Sequence, residues 1–172
     1  LVFSLVRFLL FIFAFFLGFS HSVDLLFLGL GGTCVCEMQK IRLAGRGVGL
    51  AANQVGVDAR VIVLGTISEE FEAVYFNPIV TLASEETEYF VEGCLTWPGL
   101  YIKIKRPKAI TVMYQDAEGE SHHMKYDRMV SRILQHEIDH LHGITFKDRA
   151  TKYHLEKARK DLKLLKRRRN NA

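Results

Sequence analysis

Proline is scarce in this chain and glycine no more than ordinary. Three Pro and 13 Gly among 172 residues exclude collagen-like and Pro/Gly-rich disordered classes. The three Cys, Cys34, Cys36 and Cys94, are too few and too unevenly placed for a disulfide framework. Their odd number points to a reducing compartment and leaves Cys94 free to serve as a metal ligand or nucleophile. There is no internal repeat or low-complexity linker, so solenoid and array architectures are set aside. Charge is scarce in one place: residues 1–33 carry only Arg7 and Asp24. A length of 172 residues suits one well-packed domain rather than two.

The charge-poor stretch is where apolar residues collect. It holds 22 of them, including eight of the twelve Phe, and lifts the chain to 49% apolar. Without it the remainder is about 45% apolar, ordinary for a globular domain. The run from Phe8 to Phe19, FLLFIFAFFLGF, is flanked by Arg7 and by Ser20, His21 and Ser22. That is the layout of a signal peptide, with Gly18 and Ser20 at the small-residue positions. Leu1 to Phe19 is also long enough to span a bilayer as an anchor, giving membrane contact through residues 1–20. A third reading makes residues 1–33 an atypical extension of the domain.

The other end is basic. Residues 151–172 hold nine Lys/Arg against two acids, a net +7, whereas residues 1–150 sum to −3. Leu155, Ala158, Leu162 and Leu165 recur at spacings of three and four, so the tail reads as an amphipathic helix ending in Lys166, Arg167, Arg168 and Arg169. The partner expected for that run is RNA, such as the ribosome's, rather than a membrane, because the stripe is narrow and can dock on the domain itself. A solvated helix whose charges aid solubility is the plain alternative.

Between residues 60 and 126, β-branched and aromatic runs alternate with turn residues. Strands are expected over Arg60–Leu64, Ala73–Leu82 with a break at Asn77-Pro78, Glu88–Val91, Tyr101–Ile104, Ala109–Tyr114 and Ser121–Tyr126. Asp116-Ala117-Glu118-Gly119 is a hairpin turn with Gly119 available for a positive φ. Asp127 then caps a helix whose broad apolar face carries Met129, Val130, Ile133, Leu134, Ile138 and Leu141. Strands followed by helices give an α+β fold, mostly antiparallel sheets around that central helix, plus the C-terminal amphipathic helix. The expected division is residues 1–33, a main domain over 34–150, and the basic helix over 151–172.

The central helix carries His136-Glu137-Ile138-Asp139-His140. Two imidazoles four residues apart lie one turn apart on one face and can share a metal ion, with Glu137 beside them to handle a water proton. A structural helix with two incidental His is the bland reading, but buried imidazoles would need partners. Such a site needs a third protein ligand and an open position. The longer zinc-peptidase motif HExxHxxGxxH is matched at Gly143 and fails at Phe146, which cannot bind metal. Glu156 lies in the charged tail and reads as a surface acid. That leaves Cys94, in Glu92-Gly93-Cys94-Leu95-Thr96 at a strand end, where a metal would hold the thiol as thiolate.

Three segments, Gly47-Val48-Gly49-Leu50-Ala51-Ala52-Asn53-Gln54, Glu92-Gly93-Cys94-Leu95-Thr96 and Gln135-His136-Glu137-Ile138-Asp139-His140-Leu141, resemble the three signature motifs of peptide deformylase, in that family's order. Asn77-Pro78, the Asp116–Gly119 hairpin and Arg106-Pro107 support the match, which covers roughly Glu37 to the C-terminus. The resemblance implies a hydrolase that removes the formyl group from the N-terminal formylmethionine of nascent polypeptides, releasing formate. It implies that Cys94, His136 and His140 bind one divalent metal ion, Fe(II) in the cell, with Zn, Ni or Co able to replace it. Metal-bound hydroxide would attack the formyl carbon, the Gln54 amide and Leu95 N–H would stabilise the oxyanion, and Glu137 would act as base and then acid. Val48 and Gly49 would pair with the extended peptide, beside Gly93, and Val48, Met129 and Ile133 are candidates for the methionine pocket; core packing is the plain alternative for Met129 and Ile133. Thr96 stands where the family usually has Ser, and Tyr101 near an Arg that contacts substrate backbone in several bacterial members. The family's opening strand is not recognisable in residues 1–33.

Such an enzyme belongs in the cytoplasm or an organelle, either with a membrane anchor facing the cytosol or without one, and secretion is disfavoured because it would remove the protein from its substrate. The basic tail resembles the helix that bacterial deformylases present to the ribosome. The reading from another class is a membrane-tethered zinc metallopeptidase, which Phe146 and Cys94 oppose.

Overall fold

The computed structural model describes residues 31–66, 68 and 72–170. The apolar segment assigned to residues 1–33, with its anchor and signal readings, therefore lies outside the described residues except for its last three. Among the described residues no helix is long and apolar enough to cross a membrane. From Val35 onward the chain forms one compact unit that includes the basic tail helix.

Helix α1 (Gly31–Ala44) leads into strand β1 (Gly49–Ala51) and a single turn of 3-10 helix (Ala52–Val55). Strands β2 (Val61–Gly65), β3 (Glu72–Ala83), β4 (Thr87–Glu92), β5 (Ile102–Pro107), β6 (Ala109–Gln115) and β7 (Ser121–Asp127) follow. Helices α2 (Arg128–Leu141), α3 (Phe146–Arg149) and α4 (Lys152–Asn170) complete the chain. Among the described residues one sheet has five strands in the order β1-β2-β3-β6-β7 and the other is the β4-β5 pair; every pairing there is antiparallel. The fold is α+β.

Asn77-Pro78 does not break its strand as expected. β3 runs through it, with the register to β6 shifting between Phe76 and Ile79, and Asn77 adopts φ 51°. Pro78 cannot donate to a ladder, so a bulge absorbs it, and Asn is among the few residues that tolerate a left-handed backbone there. The Asp116–Gly119 turn forms as expected: Asp116 Oδ1 accepts from the N–H groups of Glu118 (3.0 Å) and Glu120 (2.9 Å), and Gly119 has φ 85°.

The central helix follows β7 without a loop. Asp127 is extended and makes no side-chain cap bond, contrary to expectation; Arg128, at φ 52°, turns the chain, and its N–H donates to Lys108 O at 3.2 Å. Leu134 and Ile138 pack on Ala51, Ile62, Leu64, Tyr75, Ile110 and Val112 of the large sheet. The apolar face is narrower than expected, since Met129 is 48% exposed. The opposite, polar side is buried too: Arg132, Gln135, His136 and Asp139 are each under 10% exposed. That side faces the β4-β5 pair, where Gln135 donates to Pro107 O at 3.0 Å and Arg132 to Ile104 O at 3.3 Å.

A second core gathers Leu100, Ile102, Ile104, Phe146 and Ala158, with Trp97, Leu155 and Leu162 packed against it. Phe146, sealed at 1% exposure, is a core residue, and burying such a ring contributes about 3 kcal/mol. The stripe on α4 docks here through Leu155, Ala158 and Leu162, while Leu165 stays 52% exposed, outside the docked stretch.

Candidate metal centre

Residues His136 and His140 sit one turn apart on α2, with ring centroids 4.9 Å apart and Nε2 atoms at 3.2 Å. Cys94 arrives from the other sheet. β4 ends at Glu92, Gly93 follows, and a turn closed by Trp97 N–H donating to Cys94 O (3.0 Å) presents the thiol. Its Sγ lies 3.2 Å from His140 Nε2, and the three ligand atoms all fall within 4.8 Å of one another.

The side chains behind these candidate ligands orient them. His136 Nδ1 bonds Glu92 Oε2 at 2.9 Å, which leaves its Nε2 facing the thiol and His140. Glu92 is gripped by Arg106 (2.7 and 3.0 Å) and by Arg132 (2.7 Å). Arg106 also reaches Asp139 at 2.8 Å, and Arg149 donates to both Asp139 oxygens. Asn53 Nδ2 donates to His140 O. Burial alone would raise the Glu92 carboxyl, but the bonds from His136 and Arg106 hold it at about 2.

These donors fit a metal ion. Burial opposes ionisation of Cys94, yet hydrogen bonds from both His rings and from Thr96 N–H bring the thiol down to about 5, so thiolate is favoured. Sγ and the two Nε2 atoms point at one another, and once the ring protons that bridge them are lost their lone pairs converge on the place a shared cation takes. Glu137, 5% exposed, is pushed up to about 7 by burial, and its Oε2 is buried with no hydrogen-bond partner among the described residues. A buried carboxyl oxygen beside this cluster, left over by the protein's own donors, suits a proton-handling group.

A cleft of about 490 Å³ opens over this cluster, lined by Val48, Gly49, Gln54, Gly93, Cys94, Leu95, Tyr101, His136 and Glu137 among others. Gln54 is fixed by Ala51 N–H donating to its Oε1 at 2.8 Å, so its Nε2 points to Thr96 Oγ1 (3.1 Å) and Cys94 Sγ (3.6 Å). Thr96 thus uses the hydroxyl that a Ser would offer. Gly49 must be glycine because a Cβ there would stand 2.6 Å from Glu137 Oε1 and 2.8 Å from Ile133 Cγ2. Gly93 underlies the Tyr101 ring, 2.8 Å from where its Cβ would be. Ile133 stands behind Gly49, partly buried against the core, rather than in the cleft lining, and Met129 is not brought to the cleft. Phe146 packs beside His136, centroids 5.7 Å apart, and Glu156 is exposed on α4.

Glu92, Arg106, Arg132, Asp139 and Asn53 were not singled out from the sequence as site residues. The alternation of β5 carried a signal for Arg106: Ile102, Ile104 and Arg106 fall on one face, so an arginine occupies a buried position and requires buried acids.

The polypeptide deformylase family model matches residues 32–156. The peptide deformylase of Rhizobium meliloti is 44% identical over 109 residues, covering 62% of this chain and 63% of that protein. That of a Picosynechococcus strain is 40% identical over 120 residues, covering 68% and 64%. The chain thus spans less than two thirds of the length of these curated relatives. A crystal structure of the Plasmodium falciparum peptide deformylase superposes with a TM-score of 0.75 at 33% identity, covering 85% of this chain and 87% of that one. With a Cys/His/His cluster beside the glutamate of an HExxH helix and a match over residues 32–156, the chain belongs to the polypeptide deformylase family.

Proposed function

We propose that this protein hydrolyses the formyl amide of N-terminal formylmethionine on nascent polypeptides and releases formate. The observation that carries the reading is the convergence of Cys94, His136 and His140 within 4.8 Å, directly beside a buried Glu137 with an unpartnered oxygen. Cys94 Sγ and the two Nε2 atoms would hold one divalent ion, Fe(II) by family resemblance with Zn, Ni or Co as replacements, which supplies Lewis acidity for activating water and polarising the formyl carbonyl.

The chain's own groups do the rest. Glu137 Oε2 takes the proton of the attacking water and returns it to the departing amine, and a carboxyl near neutrality suits both tasks. The Gln54 amide, aimed by Ala51 N–H, and the Leu95 backbone N–H stabilise the charge that develops on the formyl oxygen; one such donor contributes roughly 10²–10³ in rate. Among the described residues β1 is an edge strand with its free side at the cleft, so the backbone at Gly49, next to Val48, pairs with an extended peptide regardless of its sequence, passing Gly93 on the opposite wall. The methionine side chain enters beside Val48, with Ile133 behind Gly49; Met129 contributes nothing from its outward position.

A substrate of this kind places the protein where formylated chains emerge, in the cytoplasm or an organelle. The exposed run Lys166 to Arg169 beyond the docked part of α4 is the proposed ribosome contact. Against a zinc metallopeptidase stand the thiolate ligand and Phe146, committed to the second core. The test is formate release from a formylmethionyl peptide by anaerobically prepared, metal-replete protein. Release with the peptide bonds left intact supports the proposal. No release, or cleavage of unformylated peptides, contradicts it.

A further inference from the structure

Arg42 is the largest fully buried side chain among the described residues, at 0% exposure, and nothing in the chemistry above uses it. Its guanidinium spends its donors on four acceptors. Nε donates to Gln39 Oε1 (2.5 Å), Nη1 to Gly47 O (3.0 Å) and Thr66 O (3.3 Å), and Nη2 to Glu72 Oε1 (2.9 Å). These acceptors lie on α1, on the cleft wall, just past β2 and at the start of β3. Gly47 N–H returns a bond to Arg42 O at 2.8 Å, so Gly47 is held through both its N–H and its carbonyl.

The consequence lies two residues on. Val48 O accepts from Gly65 N–H at 3.1 Å, which turns Val48 toward β2; alternation then points the backbone groups of Gly49 to the free edge of β1. Gly49 is also the residue packed directly against Glu137, where a Cβ would lie 2.6 Å from Oε1. The stretch from Gly47 to Gly49 therefore ties the strand's free edge to the proton-handling carboxyl, and Arg42 is its anchor. A lysine in this place would offer a point charge on a flexible stem, unable to span acceptors on four segments.

We infer that Arg42 is a positioning residue for the peptide: by holding the Gly47 carbonyl it keeps the free edge of β1 in register with Glu137. This rests on the deformylase reading, in which the substrate backbone beyond formylmethionine pairs along that edge. A substrate with several downstream peptide groups uses the edge, whereas formylmethionine alone does not. Loss of Arg42 therefore acts selectively on long substrates, which a loss of folding would not do.

The test compares Arg42→Met and Arg42→Lys with the wild type on formyl-Met-Ala-Ser and on formylmethionine, with rates expressed per metal-loaded site. Binding of the unformylated product Met-Ala-Ser is measured by calorimetry. Arg42→Met should lower kcat/KM on the tripeptide about tenfold, through KM, and change formylmethionine less than about twofold. Product binding should weaken by the same factor as the tripeptide, and Arg42→Lys should fall between. Should Arg42→Met fail to fold, Glu72→Ala removes only the Nη2 acceptor and should give a milder loss with the same selectivity. An equal loss on both substrates, or unchanged tripeptide kinetics and product binding, overturns the role of Arg42. Absence of formate release by the wild type overturns the deformylase reading instead, and product binding still decides whether Arg42 positions the peptide.

Discussion

Replacing Glu92 by Ala removes the one carboxylate shared by Arg106, Arg132 and His136. Both guanidinium side chains are no more than 5% exposed, so neither can turn to water. Arg106 keeps Asp139 at 2.8 Å. Arg132 keeps two backbone carbonyls, at 3.1 and 3.3 Å, but loses its one close carboxylate. Arg132 is left with the part-exposed Glu88 carboxylate, 3.9 Å away, as its counter-charge, and breaking a buried pair in this way costs about 3–5 kcal/mol. Against a total stability of about 5–15 kcal/mol that is a large fraction, and with a urea m-value near 2 kcal/mol/M the midpoint should fall by about 2 M. Urea denaturation of apo protein, followed by circular dichroism, reads this without the complication of ligand binding. His136 also loses the acceptor that orients its ring, so metal affinity should drop by about 10–100-fold. A midpoint shift under about 0.5 M with an unchanged m-value, together with unaltered metal affinity, would refute this account of the network.

Three further outcomes follow from the same geometry. Gly49→Ala forces a Cβ to 2.6 Å from Glu137 Oε1, so it should cost about 1–3 kcal/mol of stability and at least about 100-fold in formate release; activity near wild type would mean that Glu137 is not confined by β1. Phe146→Ala empties a site 1% exposed beside Trp97 and His136 and should lower stability by about 3–5 kcal/mol in chemical denaturation. Replacing Lys166, Arg167, Arg168 and Arg169 by Gln, which leaves the docked Leu155, Ala158 and Leu162 in place, should reduce the salt slope of ribosome co-sedimentation by about 3. An unchanged slope would assign the contact elsewhere.

The candidate site residues that the structure brings together were legible because their spacing is local. His136 and His140 four apart on an amphipathic helix, and Cys94 beside a glycine at a strand end, are patterns of one turn of backbone. The strands from Val61 to Asp127 were legible from β-branched runs, and the hairpin from Asp116 and Gly119. What escaped was set by long-range pairing. Arg132 and Gln135 occupy the polar side of a helix, where solvent is the default; only the β4-β5 pair, joined across α2, makes that side interior. The assignment of Met129 to the apolar face failed for a related reason: at the first turn the helix has just left β7, and the sheet does not reach it. Asn77-Pro78 looks like a break because the pair resists ladder bonding, whereas the bulge that accommodates it depends on β6.

The central claim is that Cys94, His136 and His140 bind the metal while Glu137 moves the proton. The measurement that tests it most directly pairs metal stoichiometry with formate release for Glu137→Gln prepared without oxygen. The amide is nearly isosteric and lies outside the ligand set, so one ion per chain should be retained while turnover falls by at least about 10³. Loss of the ion from this variant, or turnover within about tenfold of wild type, would contradict the account.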